Sequence, residues 1–202
     1  MNKKRPSVFN WIAPIYGLFY NYQIRHYKEI LDGALFEFDF SKYKNIIDVG
    51  CGTGALCSVL NQKGLRVTGA DPAQKMLQIA AKKQSNKDIE FVQTNALERM
   101  PFENKSFDIS IAAFVVHGLK EDDRKTMYAE MSRITKYFVI IYDYNEKRSL
   151  LVNIAEWLEG GDYFNFIKKS QNEMKEVFDE VRIVNVSSRA ACNICRPFAE
   201  KK

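Results

Sequence analysis

Apolar positions along this chain change their spacing in step with its turn residues. From Ser7 to Phe38 they recur at helical intervals and are rich in aromatics: Trp11, Tyr16, Phe19, Tyr20, Tyr22, Tyr27 and Phe36. Pro14 and Gly17 are expected to break this run into pieces. A short apolar strand, Asn45 to Val49, comes next, followed by a helix through "TGALCSVLNQKG" with Gly64 as its stop. Strand "LRVTGAD", helix "PAQKMLQIAAKKQ" opening on Pro72, and strand "IEFVQTN" continue the rhythm. The second half repeats it with "SFDISIAAFVVHGL" as a strand, "EDDRKTMYAEMSRI" as an amphipathic helix and "KYFVIIYDY" as a strand. Alternation of this kind requires a parallel sheet with right-handed crossovers, and the unbroken apolar runs fit strands covered on both faces.

After Tyr144 the order changes. Two helical segments, Ser149 to Leu158 and Asn165 to Phe178, precede the strand-like runs "VRIVNVSS" and "AACNICRPF". Only "SSRA" separates those runs, too short for a parallel crossover, so they are expected to pair as an antiparallel hairpin. The expectation is an α/β fold with a seven-stranded, mostly parallel sheet and helices on both faces. At 202 residues it reads as a single domain, residues 1–202: a helical cap over 1–40, a core over 41–145, and substrate-side helices with the hairpin over 146–202.

Composition narrows the classes. Apolar residues at 46% and charged residues at 27% describe an ordinary globular chain. The net charge of +5 comes from scattered residues, 30 Lys+Arg against 25 Asp+Glu, which fits a solvated surface and argues against a nucleic-acid groove. The opening "MNKKRPSVFNWIAPIYGLFY" starts as a secretory signal would, but Asn10, Pro14 and Gly17 interrupt it and no small-residue cleavage site follows. No apolar stretch approaches the ~18 residues of a membrane span, so a cytoplasmic location is expected. Cys51, Cys57, Cys192 and Cys195 are too few and too unevenly spaced for a disulfide framework, so reduced thiols are expected.

The chemistry concentrates in "NIIDVGCGTGA", where Gly50, Gly52 and Gly54 follow the first strand. A glycine loop entering a helix presents backbone N–H groups and lets a ligand pack on the main chain. Asp71, ending the second strand, stands where a doubly wound sheet sets an acid against a ribose diol. Gly50, Gly52 and Ala55 also satisfy the dinucleotide spacing G-x-G-x-x-G/A, so a nicotinamide or flavin oxidoreductase is a competing reading. Three features weigh against it. Asp48 would oppose a pyrophosphate but suit an ammonium and a sulfonium. Gly54 completes the tighter G-x-G-x-G. Asn95 offers an amide to an adenine edge.

With "IIDVGCGTG", "VTGADPAQKMLQIA", "FVQTNALERMPFENKSFDISIAAFVVHGL" and "FNWIAPIYGLFY", the chain resembles class I S-adenosylmethionine-dependent methyltransferases of the ubiquinone/menaquinone-biosynthesis-like group. The resemblance implies a Rossmann-like fold, S-adenosyl-L-methionine as cofactor, no metal, and a small-molecule acceptor. It implies that Asp48, Gly50, Cys51, Gly52, Thr53 and Gly54 hold the methionine part and that Asp71, with Pro72 beside it, takes the ribose hydroxyls. Met76 would flank the adenine, Asn95 with Ala96 and Leu97 would meet its edge, and Tyr16 and Tyr20 would cover the cofactor. Family members usually carry Asp where this chain has Asn95, whose carbonyl still accepts from the adenine amine.

Methyl transfer from a sulfonium needs mainly an aligned nucleophile, and a base only if the acceptor arrives protonated. His117, expected at the end of the fourth strand, and Tyr142, with Asp143 and Tyr144 ending the fifth, are the candidates at the edge where open sheets build their sites. His26 reads as a surface residue unless the cap closes. No "NPPY"-like or "DPPY"-like sequence follows the fourth strand and no Pro-Cys pair occurs, which speaks against methylation of nucleic-acid bases. Cys192 and Cys195 form a C-x-x-C without a second pair and read as structural. The short "EGGDYFNF" suits a small apolar or aromatic acceptor. A non-catalytic S-adenosylmethionine-binding protein is the alternative from another class.

Overall fold

The computed structural model describes residues 8–33, 38–145, 163–187 and 190–199. Its sheet has seven strands: β1 (Asn45–Val49), β2 (Arg66–Asp71), β3 (Glu90–Gln93), β4 (Phe107–Ala113), β5 (Thr135–Tyr144), β6 (Phe178–Asn185) and β7 (Ala190–Pro197). The spatial order is β3-β2-β1-β4-β5-β7-β6. β1 pairs in parallel with β2 and β4, β2 with β3, and β4 with β5, whereas β7 lies antiparallel between β5 and β6. The hairpin is as expected, and its second strand inserts into the sheet beside β5.

The helices described are α1 (Val8–Leu18), α2 (Tyr20–Asp32), α3 (Ala55–Gln62), α4 (Gln74–Ala81), α5 (Glu121–Ile134) and α6 (Tyr163–Val177). Strand alternation sends Ile46, Ile140 and Cys192 into one core with Ile30, Leu31 and Leu56 of α2 and α3. Ile47, Ile141 and Cys195 enter a second core with Met127 and Met131 of α5 and Phe166 and Met174 of α6. The sheet is therefore covered on both faces. Strand order reverses between β1 and β4, which opens a crevice at their C-terminal ends.

Two boundaries differ from the sequence expectation. Pro14 lies inside α1, and the break falls instead at Phe19 (φ −87°, ψ 1°), between α1 and α2. Ala13 and Gly17 pack α1 on α4, where a Cβ on Gly17 would stand 3.3 Å from Ile79 Cγ2; that packing outweighs a helix penalty of ~3 kcal/mol for proline. The fourth strand stops at Ala113, because Phe114 takes the left-handed conformation (φ 54°) and turns the chain into a short 3-10 turn, Val116–Gly118. The helix expected over Ser149 to Leu158 and the first half of "EGGDYFNF" lie outside the described residues.

Candidate functional site

The loop after β1 is held by its own main chain and by Asp71. Gly50 and Cys51 donate to the Ala70 carbonyl, and Gly54 donates to Cys51 O. Gly50, Gly52 and Gly54 have φ of 79°, 53° and 76°, a region that L side chains enter at a cost of roughly 1–2 kcal/mol. Their surroundings differ. A Cβ on Gly50 would meet Val115 Cγ2 at 2.6 Å, and one on Gly54 would meet Asn86 Nδ2 at 2.7 Å and Phe91 Cζ at 2.9 Å, whereas one on Gly52 meets nothing within 4 Å. Two glycines thus admit the protein's own packing, and Gly52 turns a bare backbone toward open space.

Asp71 accepts from Gly52 N through Oδ2 (2.9 Å) and from Ala73 N through Oδ1 (2.7 Å). One carboxylate joins the loop tip to the start of α4, and each oxygen keeps lone-pair capacity for a further donor. Burial raises its pKa, opposed by these two backbone donors. Pro72 is exposed, with its carbonyl accepting from Gln93 Nε2 at 3.3 Å. Thr94 N donates to the Asp71 main-chain carbonyl (3.3 Å), which holds the end of β3 beside the end of β2. There Asn95 Oδ1 accepts from Leu97 N at 3.0 Å, and Ala96 is buried.

Asp48 sits beneath the loop and not on it. It is buried, accepts from Cys57 Sγ at 3.3 Å, and has its pKa raised to about 7, first by desolvation and then by the charge of Asp71. The carboxylate that was expected to repel a pyrophosphate is thus partly protonated at neutral pH. Folded Asp48 keeps its proton up to about pH 7, while the unfolded chain releases it near ~4. Its burial is without penalty below the unfolded value and destabilises the fold progressively as pH rises through that window. Asp48→Asn is expected to melt several degrees above the wild type at pH 8, with the difference shrinking toward pH 5; a difference independent of pH in scanning calorimetry would exclude this titration.

Cys51 is buried, and desolvation pushes its thiol up to about 11. Thr53 is buried, and its carbonyl accepts from Asn86 Nδ2 at 3.5 Å. Asn86 also accepts from Tyr20 Oη at 3.0 Å, so the expected covering residue Tyr20 is a buried strut that reaches the loop through Asn86. Tyr16 is exposed, and Met76 is sealed under α1 with Ala13 and Ala73.

Across the crevice, Tyr142 and Asp143 point to opposite faces of β5. Tyr142 Oη lies 3.0 Å from His26 Nε2 on α2, and burial raises the phenol pKa, so it stays neutral. Burial also lowers the pKa of His26. His26 is therefore half-buried and bonded, not a plain surface residue. On the other face Asp143 Oδ1 is 2.7 Å from His117 Nδ1, and Asp143 Oδ2 accepts from Val116 N (3.0 Å) and His117 N (3.3 Å). His117 is carried by the 3-10 turn and not by the strand end. Phe114 stands 6.2 Å from His26, 4.6 Å from Tyr142 and 5.1 Å from Tyr144 between ring centroids, and Tyr144 lies 4.9 Å from His117. Beside His26 a cleft of about 240 Å3 is lined by Tyr22, Arg25, His26 and Glu29.

The turn that carries His117 is braced from behind. Arg124, fully buried, donates to Leu119 O (2.6 Å) and makes two bonds of 2.7 Å to Glu173 of α6. Sequence analysis missed this pair; the place of Arg124 on the apolar stripe of α5, four residues before Tyr128 and seven before Met131, is the signal that would have marked a buried charge. Asn86 and the His26–Tyr142 bond had no such signal. Cys192 and Cys195 belong to opposite cores, so they cannot act as one pair of ligands.

Known methyltransferases resemble this chain in fold and over its central segment. Residues 46–137 match the family model described as a methyltransferase domain. The chain is 35% identical over 129 residues to a demethylmenaquinone methyltransferase of Chlorobaculum tepidum, covering 59% of this chain and 52% of that protein. It spans about half the length, or less, of the first curated relatives it matches. A Methanococcus maripaludis structure described as an S-adenosyl-L-methionine-dependent methyltransferase superposes with TM-score 0.72 at 20% identity, covering 100% of this chain and 98% of that one. Phosphoethanolamine N-methyltransferase 2 of Haemonchus contortus, solved with S-adenosyl-L-methionine, gives TM-score 0.58 at 20% identity over 70% of this chain and 34% of its own. At these identities the two structures share the fold, that of class I, Rossmann-like methyltransferases.

Proposed function

We propose that this chain binds S-adenosylmethionine across the β1 loop and the ends of β2 and β3, and transfers its methyl group to a small-molecule acceptor. The observation that carries the reading is the bare backbone of Gly52 beside Asp71, whose oxygens retain capacity for two ribose hydroxyls. Gly50 to Gly54 receive the amino-acid end, and Asn95, Ala96 and Leu97 bound the adenine. Asp48 stabilises an ammonium from below once it is ionised. When bound, the cofactor supplies an electrophilic methyl on a sulfonium. Asp48, being no fixed charge, no longer weighs against a dinucleotide, and what favours S-adenosylmethionine is that the relatives reported above are methyltransferases.

The acceptor approaches the crevice between β1 and β4, walled by Phe114, Tyr144 and His117. With Nδ1–H donated to Asp143, Nε2 of His117 is the nitrogen that takes a proton from the acceptor. Tyr142 serves as a neutral partner that positions His26. Residues 1–202 act as one domain, and buried, unpaired cysteines suit the reducing cytoplasm.

The test is release of S-adenosylhomocysteine from methyl-labelled S-adenosylmethionine with pools of phenolic, thiol, amine and quinol acceptors. Product is expected above the acceptor-free rate, with His117→Ala lowering kcat about 100-fold and leaving cofactor affinity within twofold. Tight cofactor binding without product in any pool would identify a non-catalytic binding protein.

A further inference from the structure

α1 carries two apolar faces and buries only one. Ala13 and Gly17, continued by Tyr20, recur at helical spacing and pack against α4 and the turn that follows it. On the opposite side Trp11, Ile15, Leu18 and Tyr22 form a second stripe at intervals of four, three and four residues, with Phe19 beside Leu18. Trp11 is 75% exposed, Leu18 83%, and Tyr22 63%. Of the ten large hydrophobic residues exposed among those described, seven lie between Phe9 and Tyr22. With a bare aromatic presenting roughly 150–250 Å2, they expose about 800 Å2, above the roughly 300–600 Å2 of the largest patch on an ordinary monomer.

The charges beside this face are mostly basic, Lys75, Lys83 and Arg25, with Glu29 lining the cleft beside Tyr22. α1 itself, "VFNWIAPIYGL", carries none. Lys75 Nζ stands 5.9 Å from the Trp11 ring, and Lys83 Nζ lies 4.7 Å from the Tyr20 ring and 3.4 Å from Gly17 O. An apolar, tryptophan-bearing stripe bordered by cations complements an anionic lipid surface, where apolar side chains enter the acyl boundary and ammonium groups meet the phosphates.

We propose that the exposed face of α1 and the start of α2 docks this protein on an anionic membrane surface. The inference goes beyond the methyltransferase reading and does not depend on it. No described helix is long and apolar enough to cross a membrane, so docking is interfacial.

Flotation with phosphatidylcholine vesicles, alone or mixed with phosphatidylglycerol, tests the proposal without any turnover. The Trp157→Phe background leaves Trp11 as the only tryptophan to report by fluorescence. Binding is expected to be about tenfold or more stronger to the mixed vesicles and to weaken with salt, with a blue shift of Trp11 emission. Leu18→Asp, at a bare position, is expected to keep the melting temperature and lower vesicle partition at least about tenfold. Ile183→Asp, on the distant strand β6, is expected to change neither. Absence of binding to the mixed vesicles overturns the proposal. So does a blue shift produced by S-adenosylhomocysteine without lipid, which would make the face a lid. A dimer in light scattering that Leu18→Asp dissolves would make the occupant a second copy and also overturn it.

Discussion

Replacing Asp71 by Ala is expected to weaken binding of S-adenosylhomocysteine about 1000-fold, near 4 kcal/mol. Two losses coincide. The ribose loses an acceptor for both hydroxyls, and Gly52 N and Ala73 N lose the carboxylate that now satisfies them at 2.9 and 2.7 Å. The loop tip and the start of α4 are then no longer fixed to one another before the ligand arrives. Asp71→Asn retains one acceptor oxygen and is expected to fall between Ala and wild type. Far-ultraviolet circular dichroism should show the fold intact for both variants, and affinity within threefold of wild type for Asp71→Ala would remove this residue from the site.

Glu173→Ala is expected to be the most destabilising single change, by about 3–5 kcal/mol. The variant leaves the Arg124 guanidinium fully buried without its carboxylate partner. For a chain of this length each kcal/mol moves the melting temperature by ~2–4 °C, so a fall of about 10 °C is expected. The double variant Arg124→Met with Glu173→Leu removes both charges at similar volume and should recover most of that loss. If Glu173→Ala melts within 2 °C of wild type, the pair does not brace α5 against α6. Because Arg124 also holds Leu119 O, the same variant is expected to loosen the turn carrying His117.

The alternation of strands and helices, the antiparallel hairpin and the glycine loop were legible in the sequence because each depends on local chemistry. Unbroken apolar runs mark strands covered on both faces, and "SSRA" is too short for a crossover. Asp71 was legible for the same reason, as the residue that ends β2. Three features were not. The left-handed turn at Phe114 takes His117 off the strand, and a phenylalanine does not announce positive φ. Asp48 read as a charge acting on the ligand, but register with Gly69 and Ile111 places it between two buried neighbours in the sheet. The bond from His26 to Tyr142 joins residues 116 positions apart, so no local pattern could reveal it.

The same distinction accounts for the glycines. Their spacing identified a loop that a ligand approaches, yet Gly50 and Gly54 face Val115 and Phe91, which lie elsewhere in the chain. Only Gly52 stands against open space, and the cofactor reading rests most heavily on that position together with Asp71.

Isothermal titration of the purified chain with S-adenosylhomocysteine and, in parallel, NAD tests the central claim most directly. Saturable one-to-one binding of S-adenosylhomocysteine that weakens as pH falls below about 7, where Asp48 takes up its proton, with no heat from NAD, is the result expected. Saturable binding of NAD with silence from S-adenosylhomocysteine would contradict it and assign the glycine loop to a dinucleotide.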